Sequence, residues 1–330
     1  MTQLASNRAV PEGKLPVFAK RLTSRLEVRM FGLALLIAVA LSILSPYFLT
    51  ANNLLNLLDQ SVVVGIVAIG MSFVILTGGI DLSVGSVAGL TGVVLGLALH
   101  HFDIPVSILL AVLSGAGIGL FSGVLIGGFG LAAFVVTLGV MAIGRSLAYI
   151  FSGQTSITDI PPEINDLVYT TVFGVQTNVI TLLVLYAVAY FYLTHTKGGR
   201  TVYAIGSNRE AARTAGLNVL AYSILPYVIS GALSAVAVTL LSAQILSIDP
   251  LAGNGLELDA IAAVVIGGAS LYGGRGTIIG TLIGVFIMVM IRNGLNLMGV
   301  SPFWQGSAIG GIIIAAVFAE RLLSGNRRRG

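Results

Sequence analysis

The chain has 330 residues, of which 56% are hydrophobic and only 9% charged, with a formal net charge of +4 and a mean hydropathy of +0.99. A water-soluble core cannot hide that much apolar surface, so lipid must cover a large part of it and a soluble globular domain is excluded. The lack of cysteine excludes disulfides and thiolate metal sites, and with them dithiol redox chemistry and zinc ribbons.

The chain starts with a basic segment holding Lys14, Lys20, Arg21, Arg25 and Arg29 but no short apolar core ending in a small-residue cleavage site. Residues 1–27 therefore read as an uncleaved, cytoplasmic basic tail. A bilayer core about 30 Å thick needs about 20 mostly apolar residues per helical span. About ten stretches qualify: 28–48, 61–80, 86–99, 104–127, 131–151, 176–194, 221–243, 256–271, 276–297 and 302–323. The expected fold is an all-α, polytopic transmembrane bundle over residues 28–323, closed by a second basic tail at 324–330. Segments 86–99 and 256–271 are short enough to be re-entrant, and losing both would leave eight full spans. The 42 glycines have no three-residue period and sit inside apolar runs. Small residues four apart, as in Gly92/Gly96, Gly115/Gly119/Gly123/Gly127, Gly280/Gly284 and Gly306/Gly310, let helix backbones approach in lipid.

The end of the second stretch reads ILTGGIDLSVGSVAG from Ile75 to Gly89, a glycine-rich turn carrying one carboxylate. Gly78, Gly79, Asp81, Ser83 and Gly85 define it. Asp81 either caps the next helix through the amides of Ser83 or Val84 or touches a partner or substrate directly. Shifting the chain by 189 residues lays GGIDLSVG (78–85) on GGASLYGG (267–274) with four of eight positions identical. The echo is either chance among abundant glycines or the trace of an internal repeat, in which case both turns would lie on the inner side and the halves would be parallel.

Lys and Arg gather in the first 29 residues, in 195–220 (Lys197, Arg200, Arg209, Arg213), at Arg275, and at Arg321 and 327–329. The alternate loops carry Asp103, then Asp159, Glu163 and Asp166, then Asp249 and Glu257. Basic residues mark the cytoplasmic side, so a ten-span chain has both termini inside. Arg145 and Arg292 fall within spans near their outer ends, to snorkel or to face a pore.

Between His195 and Val228 lies the longest basic segment. Asn208 to Ala215 read as a short helix, with Ser207 or Asn208 as N-cap, Glu210 at its positive start and Gly216 as its stop. Such a helix projecting from a bundle suits docking into a groove on a soluble partner, or it is an ordinary solvated loop that only fixes topology. Beyond it, Glu257 and Asp259 open a short helix, as helix-start acids or as an outer surface that a partner contacts. Thr77, Gln244, Asn293 and Asn296 are the polar groups that a solute path among apolar walls would use. His100, His101 and His195 lie at span ends and do not form a ligand set.

Glu210-Ala211-Ala212 followed by Gly216 resembles the EAA loop of bacterial ABC importer permeases, although Ile224-Leu225-Pro226 comes earlier than that motif expects and lacks its spacer. NNLLNLL (52–58), VGIVAIGMSFVILTGGIDLSVGS (64–86), YAIGSNREAARTAGLNV (203–219), LELDAIAAVVIGGASLYGGRGTIIGTLIG (256–284) and NGLNLMGVS (293–301) together resemble the ribose-type monosaccharide ABC permeases over roughly residues 28–323. The resemblance implies a bacterial inner-membrane permease for a pentose, hexose or related small polyol. It also implies a homodimer, or a heterodimer with a sister permease, two cytoplasmic ATP-binding subunits or one fused double ATPase, and a periplasmic sugar-binding protein. The 195–220 loop, with Gly206, Ser207, Asn208, Glu210, Ala211, Ala212, Arg213 and Gly216, then couples to the ATPase.

No G-x-x-x-x-G-K-[ST] is present, the nearest run being Gly273-Gly274-Arg275-Gly276-Thr277, so ATP is expected to bind the partner subunit and the chain itself to be no enzyme and to need no cofactor. The alternative is an ion-coupled secondary transporter. It needs midspan carboxylates, whereas Asp59, Asp81, Glu257 and Asp259 fall near span ends. An intramembrane enzyme would need a buried His/Glu or Ser/base constellation that no span carries, and nothing points to nucleic acid.

Overall fold

The computed structural model describes residues 26–325, so all but a few residues of the expected basic tails lie outside the described part. Nearly all regular structure in it is α-helical. α1 is Leu26–Leu44, α2 Ala51–Leu76, α3 Val84–Leu99, and α4 Ile104–Gly123 with a π-helical extension Val124–Gly128. α5 (Ala133–Phe151) leads through a 3-10 turn (Pro162–Asn165) and the one-turn α6 (Asp166–Tyr169) to a hairpin of two-residue strands, β1 (Thr171–Val172) and β2 (Val175–Gln176), paired antiparallel with Thr171 opposite Gln176. There follow α7 (Thr177–His195), α8 (Lys197–Ser207), α9 (Arg209–Thr214), α10 (Val219–Ile245), α11 (Leu256–Ile266), α12 (Ile278–Leu297) and α13 (Pro302–Gly325).

Seven of these helices are long and apolar enough to cross a membrane: α1, α2, α4, α5, α7, α10 and α12. Side-chain caps fix where several begin. Thr50 accepts from the Asn53 amide, Asp103 from Val106 ahead of a first turn containing Pro105, Asn218 from Ala221 and Thr277 from Gly280. α2 is the axis, with 83% of its most apolar window buried inside the bundle, while the corresponding windows of α4 and α5 are only 28% buried. Phe31, Leu36, Leu113, Phe134, Ile150 and Phe191 point outward from α1, α4, α5 and α7, the faces that lipid must cover.

α4 and α10 cross at the contact expected for small residues in lipid. A Cβ on Gly115 would strike the Gly231 carbonyl, and one on Gly119 the Tyr227 carbonyl, so the backbones touch without intervening side chains. Gly280 and Gly284 pack in the same way on the backbone of α11 and its end, at Gly267 and Ala263. Gly306 and Gly310, expected to do likewise, have nothing within 4 Å.

α3 and α11, with 16 and 11 residues, are too short to span alone. Neither begins at the end of the bundle. After α2 the chain turns at Gly78 and climbs back through 79–83 without helix. α3 then starts beside the middle of α10, since Asp81 bonds Ser230 and Gly92 packs on Val238. From the other end, Leu246 (φ 49°) stops α10, and residues 247–255 run back along α3, with Ile248 against Gly96, Pro250 against Gly89 and Gly253 against Gly85. α11 starts at that depth and runs on towards Gly267. The expected uninterrupted helices over 61–80 and 256–271 are thus replaced by a helix ending at Leu76 and one ending at Ile266. In both places the helix ends in a glycine of positive φ, Gly78 (82°) and Gly268 (89°). Gly79 N–H bonds the Val74 carbonyl and Gly78 N–H that of Ile75, and Ala269 and Gly268 repeat the pattern on Val264 and Val265. These are paired 6→1 and 5→2 closures, which satisfy the last carbonyls and turn the chain away.

Candidate functional site

A cavity of about 290 Å³ opens among α2, α10, the 253–256 segment, α11 and α12. Its walls are apolar at Val63, Val64, Leu241, Met288 and Val289, and its polar groups are Asp59, Gln60, Gln244, Asn254, Asp259 and Arg292. That size lies near the lower end for small-molecule pockets, about 300 Å³. Asp59 is held by Asn178 Nδ2 at 3.1 Å, and Asp259 accepts from Arg292 Nη2 at 2.7 Å. The side-chain amides of Gln60, Gln244 and Asn254 make no hydrogen bond among the described residues, which leaves three donor and acceptor pairs facing a space with apolar walls.

Of the four path residues expected from the sequence, only Gln244 lines this cavity. Thr77 instead ends α2, its hydroxyl donating to the Val74 carbonyl at 2.9 Å. Asn293 is buried and locked to Asn53 by two reciprocal amide bonds of 3.0 and 2.8 Å, so neither amide is left for a solute. Asn296 accepts from Gln305 Nε2 at 2.6 Å. Gln60 and Asn254 are the lining residues that sequence reasoning missed, whereas Arg292 takes the pore-facing one of the two readings given to it. The one available signal was the polar run Asp59-Gln60-Ser61 inside an otherwise apolar helix.

Glu257 and Asp259 open the first turn of α11, as the helix-start reading expects, and in place of the alternative outer surface both turn inward. Asp259 is 5% exposed and its carboxylate is engaged by Arg292, since an acid at this depth needs a cation. Glu257 is half-buried against Gly85, with Oε2 lacking a hydrogen-bond partner. Arg292 does not snorkel away from the bundle, and Arg145 reaches the Pro250 carbonyl at 3.5 Å.

Asp81 is 4% exposed. Oδ1 accepts from the Ser83 amide (2.9 Å) and the Ser83 hydroxyl (2.6 Å), and Oδ2 from the Ser230 hydroxyl (2.8 Å). The carboxylate therefore ties the climbing segment after α2 to the middle of α10. Gly79 lies against Tyr227, and Gly85 against the Gly253 carbonyl.

α8 and α9 form an elbow at the end of α2 away from the cavity. Thr196 caps α8 by accepting from Gly199 at 3.0 Å, and Asn208 caps α9 by accepting from Ala211 at 2.9 Å. Gly216 (φ 76°) ends α9, with Gly216 and Leu217 amides on the Arg213 and Ala212 carbonyls. Ala212 alone on α9 is buried, against Ile205 and Val219. Glu210, Ala211 and Arg213 are exposed, the two charges 3.7 Å apart. The Ser207 hydroxyl returns to the Tyr203 carbonyl, and Gly206 packs on the last carbonyl of α2. The elbow is thus a rigid, solvent-facing knob on an apolar foot.

Residues 53–317 match the family described as branched-chain amino acid transport system, permease component. The chain belongs to this permease family. The permease is 41% identical over 297 residues to the ribose import permease protein of Escherichia coli K12, covering 87% of this chain and 92% of that one. It is likewise 41% identical over 293 residues to the ribose import permease protein of Bacillus subtilis 168, covering 88% and 91%. To the D-allose transport system permease protein of E. coli K12 it is 36% identical over 296 residues, covering 89% and 91%. No solved structure matches the permease significantly.

Proposed function

We propose that this permease is the membrane subunit of an ABC importer that carries a monosaccharide, a ribose-like pentose, a hexose or a related small polyol, across the bacterial inner membrane. The observation that carries this reading is the near full-length similarity to ribose and allose import permeases. The cavity fits it: amides with no hydrogen-bond partner among the described residues, set in apolar walls, suit a neutral polyhydroxylated solute held loosely enough to be released. Gln60, Gln244 and Asn254 are the proposed sugar contacts, and Asp259 with Arg292 forms a neutral polar wall.

ATP is hydrolysed by partner subunits, two chains or one fused pair, docked on α9. A second permease copy or sister chain completes the pathway, and a periplasmic sugar-binding protein delivers the solute. The exposed elbow supports docking, because a knob carrying Asn208, Glu210 and Arg213 presents polar groups while Ala212 anchors it. Both termini and the 195–220 loop are cytoplasmic, and residues 28–323 form the transmembrane unit. Ten crossings result when the seven long helices and α13 are joined by two composite ones, 79–99 and 247–266, each a non-helical stretch followed by a short helix.

We read α2 to α4 and α10 to α12 as two copies running in opposite directions. Each is a helix of 26 or 27 residues, a non-helical climb, a short helix and a helix of 20 residues. On this reading the GGIDLSVG and GGASLYGG echo joins non-equivalent turns, one after a long helix and one after a short one. Disulfide trapping tests the docking role: Arg213→Cys should crosslink to the ATP-binding subunit carrying a cysteine in its docking groove. A position 213 inert to every cytosolic partner would overturn it.

A further inference from the structure

Three backbone segments meet behind the elbow with no side chains between them. The last carbonyl of α2, Leu76 O, accepts from the Gly274 amide at 2.9 Å, and a Cβ on Gly206 would fall on that same carbonyl. A Cβ on Gly273 (φ 86°) would stand 2.9 Å from both the Gly206 carbonyl oxygen and the Gly78 nitrogen. The Tyr203 hydroxyl, one turn back on α8, donates to the Gly276 carbonyl at 3.0 Å, just before α12 begins. The end of α8 thus touches the end of α2 and the lead-in to α12 at once.

We propose that Gly206 and Tyr203 form a joint through which displacement of the elbow is passed to α2 and α12 together, making both residues positioning residues for transport. The proposal rests on the docking role given to α9. α2 and α12 are the two helices that run from this joint to the cavity. Leu76 lies about 24 Å from Gln60 along α2 and Ile278 about 21 Å from Arg292 along α12, at 1.5 Å per residue. A helix moves as a rod, so a shift imposed at one end appears at the other, whereas a flexible side-chain contact would absorb it. Glycine at 206 leaves nothing to deform between the carbonyl and the elbow. Ala212 against Ile205 and Val219 fastens α9 to α8, completing the chain from knob to cavity. A pathway claim requires an element whose two arrangements both ends bias, and a nucleotide response at the far end of α2 is the observation that would demonstrate one.

The test uses the whole transporter, permease with its ATP-binding subunits and sugar-binding protein, in proteoliposomes. Because the permease has no native cysteine, a single Leu55→Cys probe on the exposed cavity end of α2 reports its motion through labelling rate with and without a non-hydrolysable ATP analogue. Gly206→Ala should keep the Arg213→Cys crosslink to the ATPase and keep ATP hydrolysis within about twofold, while sugar moved per ATP falls about tenfold and the nucleotide response at position 55 disappears. Tyr203→Phe, which deletes one hydroxyl, should lower sugar per ATP about two- to threefold, and it decides the matter if Gly206→Ala does not reach the membrane. Wild-type sugar per ATP with an intact response at position 55 in these variants overturns the joint alone. Loss of the crosslink in Gly206→Ala would place its effect at docking and also overturn the joint. Failure of the crosslink in the otherwise wild-type transporter overturns the docking role instead.

Discussion

Arg292→Met tests the wall of the cavity. The side chain of Asp259 is 7% exposed and that of Arg292 38%, with 2.7 Å between their closest charged atoms. Deleting one partner of a fully buried pair strands the other charge at a cost of about 3–5 kcal/mol. Arg292 borders the cavity, so water reaches part of the site, and the expected loss is about 2–3 kcal/mol after that screening. Asp259→Leu with Arg292→Met removes both charges at similar volume and should return stability to within about 1 kcal/mol of wild type. Asp259→Asn should cost less than Arg292→Met, because the remaining guanidinium is 38% exposed and the remaining carboxylate only 7%. Unfolding of the purified permease in mixed micelles, followed by helical circular dichroism against denaturing detergent, gives the four values. An Arg292→Met cost below about 0.5 kcal/mol, the level of an exposed pair, or a double variant as unstable as the single one, would refute a buried, mutually compensating pair.

Asp81→Ala strands the hydroxyls of Ser83 and Ser230 and should destabilise by about 1–3 kcal/mol, with uptake reduced even where membrane levels match wild type; normal uptake at normal levels would remove the tie between turn and α10 from the account. Asn208→Ala deletes the cap of α9, worth about 1 kcal/mol, and should weaken ATPase docking in a crosslinking titration, with Asn208→Asp restoring it. Gln244→Ala combined with Asn254→Ala should raise the KM for sugar uptake without shifting the unfolding midpoint, since neither side-chain amide bonds another described residue; an unchanged KM would move the sugar contacts elsewhere.

The elbow was legible because its signals are local. Asn208 as cap, Glu210 in the first turn and Gly216 as stop lie within nine consecutive residues, and each acts on the backbone beside it. The membrane bundle was legible from composition for the same reason that hydropathy works at all: lipid imposes one requirement on every span. The break at 77–83 was not, since the expected helix ran on to Ile80. What ends α2 at Leu76 is the positive-φ closure at Gly78, a backbone conformation that hydropathy does not register. Which amides face the cavity was hidden for another reason. Asn293 and Gln244 look alike as amides in apolar helices, yet Asn293 is consumed by Asn53, 240 residues away in the chain, while Gln244 is left free among the described residues. Asp259 read as an acid at a helix start because its partner Arg292 sits on another helix, 33 residues on. Pairing across the bundle carries no local signature.

The central claim is that this permease moves a sugar using work done on α9 by a separate ATPase. Uptake of radiolabelled ribose into proteoliposomes tests it most directly, with the ATP-binding subunits present or omitted and with proton and sodium gradients collapsed by ionophores. Ribose, or another pentose or hexose from a small panel, should accumulate only when ATP and the ATP-binding subunits are on the elbow side, and ionophores should leave the rate unchanged. Accumulation by the permease alone, driven by an ion gradient and indifferent to ATP, would contradict the account.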